Sequence, residues 1–177
     1  MTQIHQISED TLSQAYALMS EERRLRCDRL RTDSEKRACI CGDMLIRKLA
    51  KEHFDLNEKE VILCADSNGK PFIKDAPYHV SISHSGDLVL CAISHYPVGV
   101  DIQKVEKVPE KIVQKIDVNF DSDRQFYEYW TAAESYGKLF GNGIWWALKQ
   151  DFLNDNDCRF ESIPCPDGYI ATICIKR

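Results

Sequence analysis

Two acidic residues far apart in the chain sit where solvation alone explains a carboxylate poorly. Asp101 lies in the run Val98-Gly99-Val100-Asp101-Ile102. A carboxylate inside such an apolar strand is costly unless it is paired or bound to a metal. Glu134 follows Trp130 on an amphipathic stretch, one helical turn before Lys138. Each has an ordinary reading as well: Asp101 as a strand-end residue facing water, Glu134 and Lys138 as a surface i,i+4 ion pair. Taken together, the two acids form an oxygen donor set of the kind that suits magnesium, which takes one or two carboxylates plus phosphate and water. A diphosphate at such a metal needs further donors. Lys70, leaving the Asn68-Gly69 turn, and His84, just before the Ser85-Gly86 turn, could supply them. A histidine at a hairpin turn is otherwise simply a polar turn residue. There is no G-x-S-x-G elbow, Walker loop or G-x-G-x-x-G run, so serine hydrolase, P-loop and Rossmann chemistry lack a motif.

Positive charge is concentrated upstream. Arg23, Arg24, Arg26, Arg29, Arg31, Lys36 and Arg37 fall within residues 23–37, a pattern that also fits a solvated helical face. The whole chain of 177 residues carries a formal charge of -5, which argues against nucleic acid as the main partner. Its length suits one domain, or two small halves sharing a core. The eight cysteines include no C-x-x-C pair, which argues against a zinc ribbon. Cys41, Cys91 and Cys174 sit in apolar runs, where a thiol behaves as a small hydrophobe. A polar N-terminus predicts no secretory leader, and no stretch is long and apolar enough to span a membrane. Reduced thiols and a cytoplasmic location are expected.

The elements that must hold these residues are legible in outline. A short helix is expected over residues 8–20, with Leu12, Tyr16 and Met19 on one side, before Ser20 opens the basic segment. Thr32 and Glu35 have capping-box spacing and start a helix whose stripe is Ala38, Cys41, Gly42, Leu45 and Leu49, ending near Phe54. Strands are expected at 61–64, 79–83, 88–93 and 98–102, with a hairpin at Ser85-Gly86-Asp87. The 88–93 strand should be central, being apolar on both faces. Residues 104–118 are charged and ambiguous. A helix over 124–140 places Phe126, Trp130, Ala133 and Gly137 on one stripe and Tyr127, Thr131, Glu134 and Lys138 on the next. Gly141-Asn142-Gly143 ends it, and a last strand covers 169–175. The mixture predicts an α+β fold, an antiparallel sheet flanked by helices.

Four segments in order, Gly69-Lys70-Pro71-Phe72, Val80-Ser81-Ile82-Ser83-His84-Ser85-Gly86, Gly99-Val100-Asp101-Ile102 and Trp130-Thr131-Ala132-Ala133-Glu134-Ser135-Tyr136-Gly137-Lys138, resemble the 4′-phosphopantetheinyl transferase superfamily. The chain is most similar to its surfactin-synthetase-activating type, and the resemblance covers roughly residues 20–175. It implies two similar α/β halves related by a pseudo-twofold, divided here as 1–97 (coenzyme A-binding) and 98–177 (metal-binding and catalytic), with the active site between them. It implies transfer of the 4′-phosphopantetheine group from coenzyme A to a serine of an apo acyl or peptidyl carrier protein. The reaction would be magnesium-dependent, release 3′,5′-adenosine diphosphate and be carried out by a monomer.

Carried over by residue, the resemblance implies that Asp101, Gln103 and Glu134 bind the metal. Glu134 would also be the base for the carrier serine, and Lys138 would hold phosphate. Lys70, Ser83 and His84 would meet the coenzyme A phosphates, while Arg23, Arg26 and Arg37 would meet the 3′-phosphate and adenine. The pattern departs from the family at three places. Gln103 stands where a second acid is common, Ala133 stands where a lysine is common, and the 104–125 segment, a carrier-binding region, is short. These departures keep a second expectation open, a coenzyme A- or carrier-binding module with impaired catalysis. An unrelated metal-binding structural protein is the third.

Overall fold

The computed structural model of the chain describes residues 1–116 and 118–177; Asp117, in the charged 104–118 segment, lies outside the described residues. The first half runs β1 (Thr2–Gln3), α1 (Glu9–Leu18), α2 (Glu21–Asp28), α3 (Asp33–Phe54), β2 (Leu63–Ala65), β3 (Pro71–Ile73), β4 (His79–Ser85) and β5 (Leu88–Ser94). The second runs β6 (Val98–Lys104), α4 (Glu110–Val113), α5 (Asp123–Phe140), α6 (Ile144–Ala147), β7 (Cys158–Ser162) and β8 (Tyr169–Lys176). The strands form two antiparallel sheets, β1-β5-β4-β3-β2 and β6-β8-β7, flanked by helices, in the α+β class expected.

Side-chain caps divide the N-terminal region. The hydroxyls of Ser8, Ser20 and Thr32 each accept a backbone N–H three residues on, satisfying amides that a helix start leaves unpaired. Thr32 and Glu35 complete the expected capping box. The helix expected over 8–20 stops at Leu18, because Met19 turns to an extended conformation and Ser20 opens α2, which carries the basic segment. The stripe of α3 also differs slightly. Ala38, Cys41 and Gly42 are buried as expected, but Ile46 and Ala50 complete the buried face where Leu45 and Leu49 were expected.

β5 is covered on both faces, as its composition predicts. Val89 packs with Ala38 and Cys41 under α3. Leu88 and Leu90 pack with Val100, Ile102 and Ala171 of the second sheet. The two sheets therefore share an apolar seam, linked in sequence by residues 95–97. One edge of β6 pairs with β8. On its other edge, the amides of Val100, Ile102 and Lys104 donate to the hydroxyls of Ser81, Ser83 and Ser85 on β4 at 3.0, 3.3 and 3.0 Å. A free strand edge carries a row of unmet donors, and here alternate serines meet them. The sequence reading missed β7, although Cys158, Arg159, Phe160 and Glu161 alternate apolar and charged and the two outward side chains pair at 2.9 Å.

α5 lies against β6 and β8, and the approach to β6 is very close. A Cβ added to Gly99 would stand 1.9 Å from the Ser135 carbonyl oxygen and 2.6 Å from the Leu139 nitrogen. Gly141 ends α5 with φ 72°, the left-handed conformation that glycine adopts without strain. All eight cysteines are free thiols. Among the described residues no helix is long and apolar enough to cross a membrane. The closeness at Gly99 has a measurable consequence. Gly99→Ala should cost about 1–3 kcal/mol of unfolding free energy or more, as overpacking against backbone does; an unchanged urea midpoint would show that α5 yields freely.

Candidate active site

Because strand residues alternate, Gly99, Asp101 and Gln103 share the face of β6 turned to α5. The absence of a side chain at Gly99 brings α5 close enough for Lys138 to reach Asp101. The Asp101 carboxylate is 1% exposed and well satisfied. Its Oδ1 accepts the Ser83 hydroxyl at 2.6 Å and the Lys138 ammonium at 2.6 Å. Its Oδ2 accepts the Gln103 amide at 3.1 Å. Lys138 also donates to Ser83 Oγ at 2.8 Å. The buried charge that the sequence flagged is therefore paired and hydrogen-bonded, as burial demands.

Glu134 and Asp101 line the same cleft, of about 480 Å³, which lies between the halves. Burial raises the Glu134 pKa, the Asp101 charge raises it further, and Lys138 opposes both. A second acid held against a buried first is the arrangement a divalent cation relieves, and Asp101 and Glu134 offer carboxylate oxygens, whereas the Gln103 amide turns its nitrogen to Asp101 and its oxygen to the Ser85 hydroxyl at 3.5 Å. The two carboxylates fit magnesium by donor chemistry.

Basic groups line the rest of the cleft. His84 stands at its wall with its pKa lowered by partial burial and then by Lys138, against Glu35 and Asp101. Lys70 donates to the Leu139 carbonyl at the end of α5, and burial lowers its pKa against the pull of Asp66. Arg26 also lines the cleft and donates to the Gly69 carbonyl at 3.3 Å, beside the turn that presents Lys70. Arg23 is only 5% exposed. Its Nε stands 3.6 Å from Asp43 Oδ2, and Asp43 in turn accepts Arg47 Nε at 2.6 Å. Sequence reasoning missed Asp43 as the anchor of Arg23. The available signal was its i,i+4 spacing to Arg47 on the buried side of α3.

The structure thus brings Arg23, Arg26, Lys70, Ser83, His84, Asp101, Gln103, Glu134 and Lys138 to one cleft. It does not bring Arg37 there. That guanidinium pairs with Glu9 and donates to the Ile7 carbonyl at 3.0 Å, tying α3 to the chain before α1. Ala133 is fully buried among Tyr136, Leu139 and Phe152. Position 133 therefore faces the core, and alanine there removes nothing from the cleft wall.

Residues 5–95, just over half of the chain, match the family described as 4′-phosphopantetheinyl transferase, N-terminal. The chain belongs to this family. It is 31% identical over 165 residues to a 4′-phosphopantetheinyl transferase of Bacillus subtilis, covering 86% of this chain and 74% of that protein. It is 27% identical over 175 residues to 4′-phosphopantetheinyl transferase Sfp of Bacillus subtilis strain 168, covering 92% and 78%. The mouse L-aminoadipate-semialdehyde dehydrogenase-phosphopantetheinyl transferase is 30% identical over 138 residues, covering 67% of this chain and 42% of its own.

The raised Glu134 pKa in this transferase carries a stability prediction. The folded chain holds the Glu134 proton more tightly than the unfolded chain does. The group's contribution is therefore fully present below the ordinary glutamate range and is lost as pH rises through the elevated folded value. In metal-free buffer at pH 7, Glu134→Gln should have a higher urea midpoint than the wild type, with the gap closing toward pH 4. A lower midpoint at pH 7 would show that Glu134 is stabilising as a charge.

Proposed function

We propose that this chain transfers the 4′-phosphopantetheine arm of coenzyme A to a serine of an apo acyl or peptidyl carrier protein and releases 3′,5′-adenosine diphosphate. One observation carries the reading: Asp101 and Glu134, distant in sequence, line one cleft together with Lys138, His84 and Lys70. The names of the relatives, all phosphopantetheinyl transferases, support the same reaction.

In this reading the cleft sorts its residues by charge. Arg23 and Arg26 meet the 3′-phosphate and adenine region of coenzyme A. Lys70 and His84 meet its diphosphate, and Lys138 holds the phosphate that is transferred. Asp101 and Glu134, with Gln103 beside them, would hold magnesium. When bound, magnesium supplies positive charge against the diphosphate oxygens. Glu134 takes the proton of the carrier serine, directly or through water. The serine oxygen bonds to the phosphorus of the pantetheine-bearing phosphate as the diphosphate P–O bond breaks. The leaving charge goes to 3′,5′-adenosine diphosphate. Such a transfer is mainly positioning and charge neutralisation, and the side chains named here can provide both.

The proposed division is 1–97 for coenzyme A and 98–177 for metal and catalysis. Every basic residue assigned to coenzyme A other than Lys138 lies before residue 97, and Asp101, Glu134 and Lys138 lie after it. Both halves come from one chain, which favours a monomer. Free thiols throughout favour a cytoplasmic location.

The test is a loading assay with coenzyme A, magnesium and several apo carrier proteins, read by the mass gained by the carrier. The wild type should load at least one carrier, and Glu134→Ala should lower the rate about 100-fold or more. Loading that survives Glu134→Ala would remove Glu134 from its assigned role. Coenzyme A binding without loading of any carrier would instead indicate a binding module. Gln103→Glu adds a charge beside Asp101 and should lower the magnesium concentration for half-maximal loading. Unchanged magnesium dependence would take Gln103 out of the metal set.

A further inference from the structure

We propose that Asp43, with Arg47 behind it, is the positioning residue that aims the Arg23 guanidinium at a phosphate monoester, and so sets how strongly the cleft prefers a nucleotide with a 3′-phosphate. The proposal rests on the coenzyme A reading given above. Arg23 lies on α2 and is only 5% exposed, yet it lines the cleft. Its main-chain amide donates to the Ser20 hydroxyl at 3.3 Å, and that hydroxyl donates to the Leu63 carbonyl at 2.7 Å. The backbone beneath the side chain is thereby fixed. Among the described residues the guanidinium itself makes no hydrogen bond. Its ionic contact is Asp43 Oδ2, 3.6 Å from Nε and beyond hydrogen-bond range. A nearly buried fork of N–H donors is left without a protein acceptor.

Asp43 is not free to complete that bond. Its carboxylate is 1% exposed, and Oδ1 is held by Arg47 Nε at 2.6 Å. Arg47 is itself buried and donates from Nη1 to the Glu58 carbonyl at 2.7 Å. Asp43 Oδ2, Arg23 Nε and Arg47 Nη2 are all buried without a hydrogen-bond partner among the described residues. Two guanidiniums share one carboxylate, so the cluster keeps one positive charge in excess where charge is costly. An anion in the cleft relieves that excess, and of the two guanidiniums Arg23 is the one that lines the cleft. A guanidinium fork matches the oxygens of a phosphate. Asp43 and Arg47 stand behind the cleft wall, so they act through the direction of Arg23 and not by contact with the ligand.

The experiment uses the full chain and calorimetric binding of 3′,5′-adenosine diphosphate and of 5′-adenosine diphosphate, without magnesium. The readout is the ratio of the two affinities, which a loss of stability alone does not move. The wild type should prefer the 3′-phosphorylated nucleotide about 10-fold or more. Asp43→Asn, which keeps the shape and removes the charge, should bring the ratio to about twofold or less, with affinity for 5′-adenosine diphosphate within about twofold of the wild type. Arg23→Gln should do the same, and adding Asp43→Asn to Arg23→Gln should change the ratio no further. A folded Asp43→Asn with the wild-type ratio, or with both affinities lowered alike, would overturn the proposal. So would a further fall in the ratio when Asp43→Asn is added to Arg23→Gln, because Asp43 would then act without Arg23. If Asp43→Asn does not fold, Arg47→Met decides, since it frees Asp43 to draw Arg23 away from the cleft; an unchanged ratio there would also overturn the proposal. A wild type that binds both nucleotides equally would end this inference alone, and one that binds neither would end the coenzyme A reading with it. A wild type that shows the preference but loads no carrier would end only the transfer reading.

Discussion

A carboxylate withdrawn from water has to be neutralised and fully hydrogen-bonded, and Asp101 is the group on which this molecule meets that requirement. Its partners come from three elements: Ser83 from β4, Gln103 from β6 itself and Lys138 from α5. None of the three can move far without leaving a buried charge exposed to a penalty of several kcal/mol. The acid thus fixes the angle between the halves as well as serving the cleft. The close approach of α5 at Gly99 and the hydroxyls of β4 are the means by which the partners arrive.

Around that node the cleft separates its charges. The two acids closest to it come from the second half, on β6 and α5, and Glu35 of α3 adds a third from the first half. Most of the basic groups come from the first half, on α2, the turn before β3 and the end of β4. Several of the basic groups are already engaged in the free chain. Lys70 holds the carbonyl end of α5, Arg26 holds Gly69, and Arg23 rests on Asp43. An anion entering the cleft meets side chains whose directions are set beforehand, which reduces the ordering cost of binding.

Much of this was legible in the sequence because it depends on local rules. The capping box at Thr32 and Glu35, the left-handed stop at Gly141 and the two-faced apolar run of β5 each follow from short-range chemistry, and each is found. The convergence of Asp101 with Glu134 was legible only through the order of motifs, since no local rule joins residues so far apart. What escaped depends on packing. α2 is a run of charges whose only start signal is Ser20. β7 alternates apolar and charged residues over only four positions, Cys158 to Glu161. Arg37 belongs to the basic cluster by composition, but the carboxylate of Glu9 claims it. Ala133 reads as a gap in a motif until its neighbours on α5 turn it toward Tyr136 and Phe152.

The link between the sheets consists of residues 95–97, whereas the seam itself is made of Leu88, Leu90, Val100, Ile102 and the serine hydroxyls. Peptide continuity at that point chiefly supplies effective concentration. The information that aligns the halves is carried by the surfaces. The molecule is in this sense a dimer of unlike partners that happens to be written on one polypeptide. A cut at the link would break the tether without removing any side chain of the seam.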